Sequence, residues 1–134
     1  MTYLLDTHIL LWTLFDPTKL SRNVLDCLQS TSDEKVISAI NLWEISIKYS
    51  LGKLDLGDKT PDHLLEIIQE SGFTIASIDP EIFASYYHLP KKENHRDPFD
   101  RMLIWHTIKS GFTLITHDGR IEQYLSDGLL LLSN

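Results

Sequence analysis

Residues 2–15 read TYLLDTHILLWTLF. A short apolar run, TYLL (2–5), meets Asp6 and passes without a linker into THILLWTLF (7–15), which reads as a helix. Apolar residues on successive positions suit a strand covered on both faces. A buried strand running straight into a helix is the opening of a β–α unit, and alternation of such units argues for a mainly parallel sheet.

The remainder of the chain repeats the pattern. KVIS (35–38), TIASI (74–78), TLIT (113–116) and LLLL (129–132) are further candidate strands, although LLLL has no period to type it. Helical patterns lie between them. SRNVLDCLQ (21–29) opens with Ser21 as cap, and INLWEISIKYSLG (40–52) stops at Gly52. TPDHLLEIIQESG (60–72) has Thr60 as cap and Pro61 at the first helical position. PEIFASYYHL (80–89) follows Asp79, and PFDRMLIWHTIKSG (98–111) ends at Gly111. No repeat, low-complexity tract or linker interrupts residues 1–134, so the expectation is one domain, a three-layer α/β/α sandwich around a five-stranded sheet.

Composition narrows the function. Of 134 residues, 43% are hydrophobic and 23% charged, ordinary values for a globular domain. The net charge of −7 argues against a broad basic surface for nucleic acid, so any action on nucleic acid needs a local site. The single cysteine, Cys27, excludes an intramolecular disulfide and a cysteine-based zinc site, and its apolar neighbours make it a core residue. The apolar run near the N-terminus is broken by Asp6 and His8 and is too short to span a bilayer. With no signal-like segment ahead of it, a cytoplasmic protein is expected.

In an open parallel sheet, ligands sit beyond the carboxyl ends of the strands. Asp6 directly follows TYLL and Asp118 comes two residues after TLIT, so both fall at that edge. Glu44 stands between Trp43 and Ile45, with Ile40 and Ile47 beside it on the helix surface. Asp100 has Leu103 and Ile104 in the same relation. Each acid also has a structural role open to it. Asp6 can cap the next helix, Glu44 can pair with Lys48, Asp118 can serve the turn HDGR, and Asp100 can complement a helix dipole. In HRDPFDRMLI (95–104), Asp97 reads as the N-cap and Pro98 as the first helical residue, which leaves Asp100 in the first turn.

Four carboxylates brought together repel unless a cation intervenes. Oxygen donors without cysteine point to Mg²⁺ or Mn²⁺, which can polarise a phosphoryl oxygen and lower the pKa of water. Thr7, Ser38 and Thr116 lie near the same edge and can orient a carboxylate, cap or turn. His8 and His106 belong to no metal-ligand motif, and Trp12, Trp43 and Trp105 fit a core or an interface better than a base-stacking platform.

LLDTHILLW (4–12), SAINLWEISIK (38–48) followed by LGKL, HRDPFDRMLI (95–104) and LITHD (114–118), in this order, resemble the PIN-domain ribonucleases, and among them the VapC-type toxins of bacterial toxin–antitoxin pairs. The resemblance implies a parallel α/β/α sandwich with an acidic site for Mg²⁺ or Mn²⁺. It maps the family's acids onto Asp6, Glu44, Asp100 and Asp118, and makes the chain an endoribonuclease that hydrolyses RNA phosphodiesters. Asp97 is an extra acid beside that set. Arg101, Lys48, His95 and Arg96 are candidates for substrate phosphate. The resemblance further implies a cognate antitoxin that supplies the DNA-binding part, and commonly a homodimer; the chain has no DNA-reading motif of its own.

Two other classes compete. A phosphoacceptor signalling domain needs an acid pair after the first strand and a lysine after the last, but Asp6 stands alone and LLLLSN ends without lysine. A non-catalytic interaction module would tolerate loss of an acid, and all four are present.

Overall fold

The computed structural model describes residues 1–134. Its strands are β1 (Thr2–Leu5), β2 (Glu34–Ser38), β3 (Thr74–Ala76), β4 (Thr113–Thr116) and β5 (Leu130–Ser133). They form one sheet in the order β3-β2-β1-β4-β5, with every pairing parallel. The helices are α1 (Thr7–Phe15), α2 (Arg22–Gln29), α3 (Ala39–Ser50), α4 (Pro61–Glu70), α5 (Pro80–Ser85) and α6 (Pro98–Ser110). The five expected strands are all present. TIASI contributes only three residues to its strand, and the last strand starts one residue later than LLLL suggests. Residues 119–127 wind into a 3-10 helix that the HDGR turn signal did not announce.

Side-chain alternation along the strands builds two cores. Leu5, Ile37 and Ile115 face one way and pack under Ile9, Val24, Leu64 and Ile68 of α1, α2 and α4. Leu4 and Leu114 face the other way and meet Leu103, Ile104 and Tyr124. α3 serves both layers, through Ile45 on one side and Ile40 on the other. Each fully buried Leu or Ile contributes roughly 1.5–3 kcal/mol.

The caps set the helix starts. Ser21 Oγ accepts from Val24 N at 3.3 Å, and Thr60 Oγ1 accepts from His63 N at 3.4 Å. Ser38 and Asn41 form a capping box at the start of α3. Asp97 Oδ1 accepts from Phe99 N at 2.8 Å and Asp100 N at 3.3 Å, ahead of Pro98. Gly111 closes α6 at φ 70°, a left-handed position that suits glycine.

The chain builds β1, β2 and β3 outward to one side, then returns to lay β4 on the other side of β1. That reversal opens a crevice beyond the carboxyl ends of β1 and β4. α3 starts there because it follows β2 directly, and α1 because only Asp6 separates it from β1. α6 starts there because it runs back to feed β4.

Candidate active site

Asp6 terminates β1. Its backbone N–H extends the ladder to Ile115 O at 3.0 Å, and its Oδ1 accepts from Ile9 N at 2.8 Å. Oδ2 accepts from the Thr116 hydroxyl. The capping role is therefore real, and the same carboxylate borders the crevice. Burial pushes its pKa up, against the hydrogen bond from Thr116.

Glu44, on the second turn of α3, is 6% exposed, so the face it shares with Lys48 is not a solvated one. The Thr7 hydroxyl donates to Oε1, and Lys48 Nζ donates to Oε2 at 2.8 Å. Asn41 Nδ2 in turn holds Thr7 Oγ1 at 3.1 Å. Lys48 is raised in pKa: burial works against the charged form, but the hydrogen bond and charge of Glu44 outweigh it.

Asp118 follows β4 and is clamped by a residue the sequence reading missed. Arg120 donates Nε to Oδ1 at 3.0 Å and Nη2 to Oδ2 at 2.8 Å. The Arg120 hydrogen bond is the main cause of the lowered Asp118 pKa. The only sequence signal was the placement of an arginine two residues on in a turn.

Asp100 differs from the other three. It sits in the first turn of α6 and its carboxylate accepts no hydrogen bond. Burial, then the charges of Asp97, Glu44, Asp6 and Asp118, push its pKa up to about 7. All four acids, with Asp97, Lys48 and Arg120, line one cleft of about 210 Å³ at the switch point. Only two cations enter a site holding five carboxylates. That oxygen-rich, under-neutralised donor set fits a hard divalent cation, which would favour the ionised form of Asp100.

His95, Asp100 and Asp118 each bring one ligating atom within 4.8 Å of the others. His95 is buried, and its Nδ1 lies 2.8 Å from Tyr124 Oη, which accepts from Arg101 Nη1 at 2.9 Å. Arginine can only donate, so the phenol oxygen accepts from it and the phenol's own proton is free for Nδ1 in the tautomer that protonates Nε2. Nε2 then carries the imidazole proton and points at Asp100 Oδ2, 3.6 Å away. Burial lowers the His95 pKa and favours this neutral form.

Arg101 corrects an expectation. It was a candidate for substrate phosphate, but it is 7% exposed. Its guanidinium donates to Leu89 O and Pro90 O at 3.0 Å, to Tyr86 Oη at 3.0 Å and to Tyr124 Oη. Four of its five N–H donors are therefore taken by the protein itself, which makes it a structural residue. The apolar MLI run that follows it gave no hint that the arginine points inward.

Other candidates separate by position. Thr7 and Thr116 orient carboxylates, whereas Ser38 caps α3 and lies 3.0 Å from His106 Nδ1. His106 is buried away from the cleft, and burial lowers its pKa. His8 is exposed at the cleft rim. Trp105 is buried, but Trp43 is 57% exposed and borders an apolar groove with Phe83, Pro98 and Met102.

A parallel α/β/α domain with clustered carboxylates at its switch point is the setting of an acid-site enzyme. The chain belongs to the PIN domain family, whose model matches residues 3–124. It is similar to Ribonuclease VapC22 of Mycobacterium tuberculosis (strain ATCC 25618 / H37Rv), 25% identical over 123 residues that cover 92% of each chain. In fold it is similar to VapBC2 from Rickettsia felis, solved bound to a promoter DNA fragment, with TM-score 0.75, 22% identity and coverage of 99% and 98% of the two chains. VapBC-1 from nontypeable Haemophilus influenzae aligns with TM-score 0.70 at 22% identity, over 99% of this chain and 98% of that one.

Proposed function

We propose that this chain is a Mg²⁺- or Mn²⁺-dependent endoribonuclease, the toxin of a toxin–antitoxin pair. Its membership of the PIN domain family and its similarity to a named ribonuclease support the class of reaction. The observation that carries the site is the convergence of Asp6, Glu44, Asp100 and Asp118 on one cleft. These four would hold the metal. When bound, the ion supplies positive charge to a phosphoryl oxygen and lowers the pKa of water.

The chain's own residues do the positioning. Thr116 and the Ile9 N–H fix the two oxygens of Asp6, and Thr7 and Lys48 fix those of Glu44. Arg120 fixes Asp118. Asp100, without a donor, adjusts to the ligand and gives up its proton on binding. Lys48, at the cleft wall, contacts a substrate phosphate.

An antitoxin segment with a basic residue neutralises the enzyme by entering the acidic cleft, where charge complementarity favours it. The protein acts on RNA in the cytoplasm as part of a homodimer and reads no DNA by itself. No helix is long and apolar enough to cross a membrane.

The test incubates pure protein with Mn²⁺ and structured RNA, alongside the Asp6→Asn variant and an EDTA control. Cleavage by the unmodified chain alone, abolished by EDTA, is expected. Full activity in Asp6→Asn, or in EDTA, would sink the metal mechanism.

A further inference from the structure

The chain carries a net charge of −7, yet beside its acidic cleft lies a larger basic one of about 690 Å³. Lys91, Lys92, Arg96 and Tyr87 line it, and Glu93 is its only acid. Elsewhere Lys19, Arg22, Lys48, Lys59 and Arg120 each meet a carboxylate, while Lys35, Lys53 and Lys109 are unpaired but line none of the main clefts. Lys92 meets Asp127 at 3.0 Å. Lys91 and Arg96 are exposed, and no carboxylate lies within ion-pairing distance of either. Unneutralised cations lining a concave surface focus a positive potential there.

The two clefts share a wall. His95 lines the basic cleft and aims Nε2 at Asp100. Asn94 O accepts from Arg120 Nη1 at 3.4 Å, and Asp97, the residue after Arg96, already lines the acidic side. Tyr87, which also lines the basic cleft, is 77% exposed, with the His88 ring packed on it at a centroid distance of 4.1 Å. An exposed, backed aromatic ring next to free cations is the combination that holds unpaired nucleotides.

We propose that the basic cleft is the track for single-stranded RNA flanking the scissile phosphate, with Lys91 and Arg96 on backbone phosphates and Tyr87 stacked on an unpaired base. It rests on the ribonuclease assignment above. A single strand is required because only an unstacked base offers its face to a tyrosine. The arrangement lets an acidic protein hold a polyanion by a local strip, while the carboxylates stay clustered at the reaction centre.

The test measures binding of a short labelled single-stranded RNA as a function of salt, in an Asp6→Asn background that keeps the RNA intact. Lys91→Ala with Arg96→Ala weakens binding and lowers the magnitude of the log–log salt slope by about 1.4, roughly 0.7 for each phosphate contact. Tyr87→Ala weakens binding on the order of tenfold or more without changing the slope, and has no effect on an abasic strand. Thermal melts of the variants check that these exposed side chains leave the fold intact. Unchanged affinity and slope in the double variant, or an equal Tyr87→Ala effect on the abasic strand, overturns the proposal. Cleavage assays with Asp6 intact separate the two claims. Cleavage with unaltered KM in Lys91→Ala/Arg96→Ala removes the track and spares the ribonuclease. Neither binding nor cleavage by the unmodified chain removes both.

Discussion

Asp100→Asn should stabilise the metal-free protein, increasingly as pH rises from about 4 to about 7. Asp100 titrates near 7 in the fold against 3.8 ordinarily. A carboxyl whose folded pKa is raised binds more protons folded than unfolded between those two values. Stability is therefore intact below the unfolded pKa and is lost as pH rises through the folded one. The rise from 3.8 to about 7, at about 1.4 kcal/mol per tenfold change in proton affinity, bounds the penalty near 4 kcal/mol. The side chain is 32% exposed, so solvent screening reduces this to about 1–2 kcal/mol. Asparagine keeps the shape and removes the charge. Urea unfolding in EDTA at pH 5 and pH 8 should show the variant gaining about 1–2 kcal/mol over the unmodified chain at pH 8 and much less at pH 5, equivalent to several degrees in Tm. Adding Mn²⁺ at pH 8 should close the gap by stabilising the unmodified chain more than the variant. A stability difference independent of pH, or Mn²⁺ stabilising both chains equally, would refute the claim that burial and neighbouring acids penalise a charged Asp100 in this cleft.

Arg101→Met should lower stability by about 3–5 kcal/mol, since it orphans two carbonyls and leaves two phenols without their donor; a melt distinguishes this from a phosphate contact, which would alter KM and leave Tm alone. Asp97→Ala should cost about 1 kcal/mol through loss of the α6 cap. Asp97→Ser should keep the cap yet lower the Asp100 midpoint by removing the like charge that raises it most, an effect readable by carboxyl NMR titration. Long-range ¹H–¹⁵N spectra should show the His95 proton on Nε2; a proton on Nδ1 would reverse the direction of the Tyr124 hydrogen bond.

Much of the fold was legible because its signals are local. TYLL–Asp6–THILLW announces a β–α unit, and Pro61, Pro98 and Gly111 mark helix ends through fixed backbone preferences. Elements without local signals are set by distant contacts. The helix over 119–127 is held by Ile121 and Tyr124 packing on a distant core, and no short-range pattern encodes that. The acids themselves were legible through position, Asp6 and Asp118 at strand ends and Glu44 and Asp100 among apolar neighbours. The arginines were not: Arg101 looked available and is buried, whereas Arg120 looked like turn decoration and holds Asp118.

The sequence alone thus determined the five strands, most of the helices, their parallel arrangement and the placement of four carboxylates at one sheet edge, because hydrophobic period, caps and strand-end residues act over a few positions. Tertiary structure decided what each charge does. Asp6 and Thr116 lie 110 positions apart, and Glu44 and Thr7 lie 37 apart, yet each pair is hydrogen-bonded. A pKa near 7 at Asp100 exists only because burial and three remote acids meet at one point beside Asp97. Coulomb energy and desolvation depend on distance and burial, and those quantities exist only once the chain has closed on itself.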